Sequence, residues 1–172
     1  MVIFLASWAM MFAALFFSYA MLRQASAAWP PLDYKRLPLL LPGINTAVLI
    51  ASSVVLQRGV FSHRRGQPLL PWALATLALG IAFLALQTVV WSSLWRGGFK
   101  ISSGHYGSVF YLLTIFHAAH VLVGLGLLAA LLPGSGQKSA RRPSPARVTL
   151  TAMFWHFVDI VWALIFVMVY VV

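Results

Sequence analysis

The chain divides into five apolar runs, approximately 2–22, 37–57, 71–95, 106–132 and 148–172, joined by short basic connections. An α-helix rises about 1.5 Å per residue, so about 20 residues cross the roughly 30 Å apolar core of a bilayer. Each run reaches that length. Transmembrane strands would be about half as long and would alternate in polarity, which these runs do not. The runs predict an all-α integral membrane bundle of five transmembrane helices, a single membrane domain over 1–172. A water-soluble fold is excluded on the same ground. Hydrophobic residues fill 62% of the 172 positions and charged residues 8%, more apolar surface than a domain of this size can bury.

Twelve Lys and Arg stand against two acids, a formal charge of +10. A nucleic-acid surface would gather such charge on one face. Here it sits in the connections, so no nucleic-acid partner is expected. Arg58, Arg64, Arg65, Lys138, Arg141, Arg142 and Arg147 flank the second and fourth connections. Arg23, Lys35, Arg36, Arg96 and Lys100 flank the first and third. That is seven against five, and the more basic connections stay in the cytoplasm, which predicts a cytoplasmic amino terminus and an outside carboxyl terminus. Ala25, Ser26 and Ala27 look like a small-residue cleavage site. However, Arg23 interrupts the end of the first run and no positive charge precedes it, so the run is expected to remain as a helix. Trp29, Pro30 and Pro31 predict a stiff connection, and 133–145, rich in Gly, Ser and Pro, a cytoplasmic loop.

Polar groups inside apolar spans are costly and need a partner or a purpose. Thr114, His117 and His120 are spaced three apart and share a face of the fourth helix. His156 and Asp159 are likewise three apart on the fifth. A carboxylate in lipid must be paired or protonated. The expectation is an interhelical polar cluster of Thr114, His117, His120, His156 and Asp159 that ties the fourth helix to the fifth. Asn45, Thr46, Ser52 and Ser53 polarise the second span, and Gln87 and Thr88 the third, as helix-packing groups. Ala78 with Ala82, and Gly124 with Gly126, would permit close helix approach. Trp91, Trp95 and Trp155 are expected near span ends, where indoles favour the interface.

No catalytic residue, cofactor-binding residue or metal ligand is assigned in this chain. It holds no cysteine, which removes thiolate metal sites and cysteine nucleophiles. It has no nucleophile with a base and an orienting group, and no glycine-rich phosphate loop. Histidines three apart on one helix cannot sandwich a haem, and the His and Asp set lacks a metal-binding spacing. A small transporter would need broken helices or an inverted repeat. A membrane metalloenzyme would need that same His and Asp set to hold metal.

Four stretches together resemble subunit III of the haem-copper oxidases, in its short five-helix form. They are FLASWAMMFAALFFSY (4–19), NTAVLIASS (45–53), YGSVFYLLTIFHAAHVLVG (106–124) and FWHFVDIVWALIFVMVY (154–170). They occur in the family's order, and the closing one carries a WHFVD signature. The resemblance implies a non-catalytic subunit of a respiratory terminal oxidase in the bacterial cytoplasmic membrane. Its partners would be the catalytic subunit I, which carries haem and copper, and subunit II. It would steady the catalytic subunit near a proton-uptake path. A bound phospholipid is implied too, with Phe4, Phe16, Phe17 and His117 as its neighbours. The electron donor, quinol or cytochrome c, stays open. So does a kindred role as an accessory protein of a nitric oxide reductase system. The family's glutamate after a serine is here Trp8, after Ser7. A second is absent near Val90 and Trp91, and a basic residue is absent near Gly134. These losses favour a structural role over proton handling.

Overall fold

The computed structural model describes residues 2–25, 39–134 and 143–171. It contains five long helices: α1 (Val2–Ala25), α2 (Leu40–Arg64), α3 (Leu70–Arg96), α4 (Gly104–Ala129) and α5 (Pro145–Ile165). A short 3₁₀ turn, Leu132–Gly134, follows α4, and α5 continues as a π-helical stretch, Phe166–Val171. Each of the five is long and apolar enough to span a membrane. The Phe4 side chain, the Trp29, Pro30 and Pro31 segment, and Asp33, Lys35, Arg36, Lys138, Arg141 and Arg142 lie outside the described residues.

Helices α2 and α3 close where the backbone turns left-handed at a glycine. The second apolar run ends near residue 57, but α2 continues through Arg58 to Arg64. It closes at Gly66, with φ 77°. There the Gln67 amide reaches back to the Ser62 carbonyl, and the Gly66 amide to that of His63, both at 3.0 Å. Helix α3 closes the same way at Gly98, with φ 87°. The Phe99 amide meets the Leu94 carbonyl and the Gly98 amide that of Trp95. A residue with a side chain is strained in this conformation, so glycine fits both positions. An arginine near a span end extends its charge toward the headgroups while its backbone stays helical. Helix α5 begins three residues before the apolar run suggests. Ser144 caps it, its Oγ accepting from the Arg147 amide at 3.3 Å, with Pro145 in the first turn.

Helices α2, α3, α4 and α5 form a ring of neighbours: α2 packs on α3 and α5, and α4 packs on the same two. Helix α1 lies outside this ring, against α4 and α5. Its inward side chains are Leu5, Trp8, Phe12, Leu15, Tyr19 and Leu22. They alternate in steps of three and four, the seam spacing of supercoiled helices. Large apolar side chains such as Met10, Ile50, Ile81, Leu122 and Ile160 point outward. Such a belt is an exposed liability in water and ordinary in lipid.

The interior turns on Trp155. Its side chain is fully buried, 0% exposed, in the middle of the bundle and not at the span end where its sequence position suggested an interfacial role. A Cβ on Gly80 would fall 2.7 Å from Trp155 Cη2, and one on Gly124 2.8 Å from its Cε3. Two glycines, one on α3 and one on α4, thus form the slot for one indole of α5. Close approach around Trp155 therefore runs through Gly80 and Gly124, and that of α2 to α3 through Gly59, where a Cβ would fall 2.6 Å from Trp72 Cβ. Nothing lies within 4 Å of a Cβ built on Gly126, and Ala78 is exposed.

Candidate functional site

The five residues expected to form one cluster are divided by the structure into separate surroundings. On α4, Thr114 Oγ1 accepts the indole N–H of Trp91 on α3 at 3.2 Å and donates to the Phe110 carbonyl at 2.9 Å. His117 is 1% exposed and lies between the rings of Phe83, 5.9 Å away, and Trp162, 5.1 Å away. Neither of its ring nitrogens has a hydrogen-bond partner among the described residues. His120 turns to α1 instead. Its ring meets Trp8 edge-on at 3.7 Å between centroids and Phe12 at 5.0 Å, and its Nδ1 donates to the Phe116 carbonyl at 2.7 Å. A step of three residues rotates a helix by about 300°, enough to send His117 inward and His120 sideways.

His156 and Asp159 bind α2, not α4. Asp159 Oδ2 and His156 Nδ1 both meet the Ser53 hydroxyl, the latter at 2.8 Å. His156 Nε2 lies 3.0 Å from Gln57 Oε1. The expected partnership between the fourth and fifth helices is therefore replaced by one between α2 and α5. The reason is topological: α5 has α2 on one flank and α4 on the other, and the 156/159 face looks toward α2. Sequence spacing fixes which residues share a face but not which helix that face meets.

The same seam carries two bonds that sequence reading missed. Trp155 Nε1 donates to Ser52 Oγ and Trp162 Nε1 to Thr46 Oγ1, each at 3.0 Å. The hydroxyls were legible as packing groups; their indole donors were not. Thus Thr46, Ser52, Ser53 and Gln57 on α2 meet Trp155, His156, Asp159 and Trp162 on α5 in antiparallel order. A further pair joins α2 to α3, Asn45 Nδ2 donating to Gln87 Oε1 at 3.1 Å with both residues buried. At the cytoplasmic end expected for α2, His63 Nε2 donates to the Pro143 carbonyl at 3.0 Å, fastening the start of α5.

The residues named as phospholipid neighbours differ in setting. Phe17 is 67% exposed and Phe16 half-buried against Phe12. His117 is enclosed by the ring of helices and offers no surface to a lipid. A cavity of about 310 Å³ lies between the ends of α1 and α5, lined by Tyr19, Ala20, Arg23, Gln24 and Met168. Among the described residues no group of three or more His, Cys, Asp or Glu side chains could hold a metal ion. His117 and His120 of α4 are each packed among aromatic rings, a setting that does not fit a shared metal.

These features define a multi-pass membrane protein in which side-chain bonds join α2 to α5 and to α3, and α3 to α4. The whole chain, residues 1–172, matches the family model described as cytochrome c oxidase subunit III. It is 38% identical to cytochrome c oxidase subunit 3 of Synechocystis sp., over 98% of this chain and 72% of that protein. It is 41% identical to a probable cytochrome c oxidase subunit 3 of Nocardia farcinica, over 99% of this chain and 85% of the relative. A probable subunit 3 of Mycobacterium leprae is also 41% identical, over 98% and 84%. The chain belongs to the cytochrome c oxidase subunit III family.

Proposed function

We propose that this chain is the non-catalytic third subunit of a haem-copper terminal oxidase in a bacterial cytoplasmic membrane. It forms one membrane domain that packs against subunit I, which carries the haem and copper, beside subunit II, and steadies subunit I during turnover. The observation that carries the reading is the family match over the whole chain, joined to a bundle whose α2 and α5 are tied by a seam of side-chain bonds. The amino terminus lies in the cytoplasm and the carboxyl terminus outside, as the basic connections favour. Phospholipid fills the surface beside α1, with the outward Phe17 and the cavity near Arg23 at its edge. The polar bonds of Thr114, His156 and Asp159 and the ring packing of His117 and His120 hold the bundle in the shape its partner requires.

Purification through a carboxyl-terminal tag in mild detergent tests this. A larger haem-bearing chain should accompany the subunit, and the assembly should consume oxygen. Deleting the subunit should leave initial oxygen consumption largely intact but hasten its decay during turnover. Consumption of nitric oxide in place of oxygen, or a lone colourless chain, would overturn the proposal.

A further inference from the structure

We propose that Asp159, Ser53 and His156 form an intramembrane proton-binding site that holds one proton, mobile between the carboxyl and the imidazole through the serine hydroxyl. The argument is a hydrogen count. Gln57 Oε1 lies 3.0 Å from His156 Nε2. A carbonyl oxygen only accepts, so with the Gln57 amide in this orientation Nε2 carries a hydrogen. In a neutral ring Nδ1 is then an acceptor, and it faces Ser53 Oγ at 2.8 Å. Ser53 Oγ also meets Asp159 Oδ2. A serine hydroxyl has one hydrogen to give. With a carboxylate on one side and a neutral imidazole on the other, that hydrogen would serve two acceptors at once. One added proton resolves the conflict in either of two ways. A protonated Asp159 donates to Ser53, which donates to His156. Alternatively an imidazolium donates to Ser53, which donates to a carboxylate.

The other carboxyl oxygen tells the two apart. Asp159 Oδ1 is buried and has no hydrogen-bond partner among the described residues. An apolar span makes an unpartnered carboxylate oxygen far costlier than the carbonyl oxygen of an acid. The resting state is therefore the neutral acid with the neutral ring. Transfer balances without any other reactant. The Oδ2–H bond breaks as its hydrogen joins Ser53 Oγ. The former Ser53 O–H bond breaks as that hydrogen joins His156 Nδ1. A carboxylate and an imidazolium result, at unchanged net charge, with Gln57 Oε1 accepting from the charged ring.

The test is infrared difference spectroscopy of the tagged, detergent-purified assembly at neutral pH, wild type minus Asp159→Asn. The asparagine amide keeps a donor toward Ser53, so the bundle is preserved. The expected difference is the carbonyl band of a protonated acid, shifted in D₂O, with no carboxylate bands. Carboxylate bands in its place would overturn the proposal; Gln57 would then present its amide N–H to Nε2, and Ser53 would donate to a charged Asp159. Ser53→Ala is the second variant. It should shift the acid band by removing its acceptor, and an unmoved band would sink the shared-proton arrangement. If the asparagine variant does not accumulate, wild type minus Ser53→Ala still decides, because the sign pair in that spectrum is that of an acid or of a carboxylate.

Discussion

Trp155 Nε1 donates to Ser52 Oγ across 3.0 Å while its ring fills the slot between Gly80 and Gly124. One side chain of α5 thus touches α2, α3 and α4 together. Trp155→Ala should destabilise the bundle by about 3–5 kcal/mol, the usual cost of deleting a large buried aromatic. Trp155→Phe should cost far less. It forfeits the bond, about 0.6 kcal/mol between membrane helices, and part of the volume. The fraction of subunit retained by the assembly after graded detergent exposure would rank the two. Equal retention would mean that the indole is not the hub.

The glycines of that slot make a paired prediction. Gly80→Ala and Gly124→Ala each place a methyl group under 3 Å from the indole, and overpacking of this kind costs about 1–3 kcal/mol. Gly126→Ala meets nothing within 4 Å and should stay within about 0.5 kcal/mol of wild type. Thermal midpoints of the three variants in the assembly check the contrast.

Asn45 and Gln87 should show coupling of a distinctive sign. Replacing either by leucine leaves the other buried amide without its partner, at about 1–3 kcal/mol. Replacing both removes the unmet demand, so the double variant should be more stable than the sum of the singles predicts. A thermodynamic cycle on the retained fraction measures this. Simple additivity would show that the 3.1 Å bond carries no net interaction.

Helix α1 rests on aromatic contacts, chiefly Trp8 and Phe12 against His120 and Phe116. Trp8→Ala should therefore loosen α1 while α2 to α5 stay closed. Hydrogen exchange followed by mass spectrometry should show faster exchange confined to 2–25. Acceleration spread over all helices would contradict the view of α1 as a separately held element.

The amino-acid sequence made the five spans plain because apolar length alone determines them, and it picked out the polar residues because each is conspicuous in such company. Partnership was harder to read. His156 and Asp159 were visibly on one face, yet only the packing order assigns that face to α2 and Ser53. Trp155 looked interfacial because indoles usually are, whereas two glycines more than forty positions apart open an interior slot for it. The second apolar run ends near residue 57, though α2 continues to Arg64 and the stop is the left-handed Gly66. For the first two the missing information was long-range, held in contacts that no local pattern encodes; for α2 it was local, in the glycine that turns the chain.

The three-and-four stepping of Leu5, Trp8, Phe12, Leu15, Tyr19 and Leu22 acts as a reading frame for α1. One residue inserted after Phe12 would turn everything beyond it by about 100°. Tyr19 and Leu22 would swing into lipid and outward side chains would take their place against α4 and α5. Seven inserted residues would restore the frame, at the expense of lifting the following turns about 10 Å along the membrane normal. Length changes in this helix are thus confined by phase as well as by bilayer thickness.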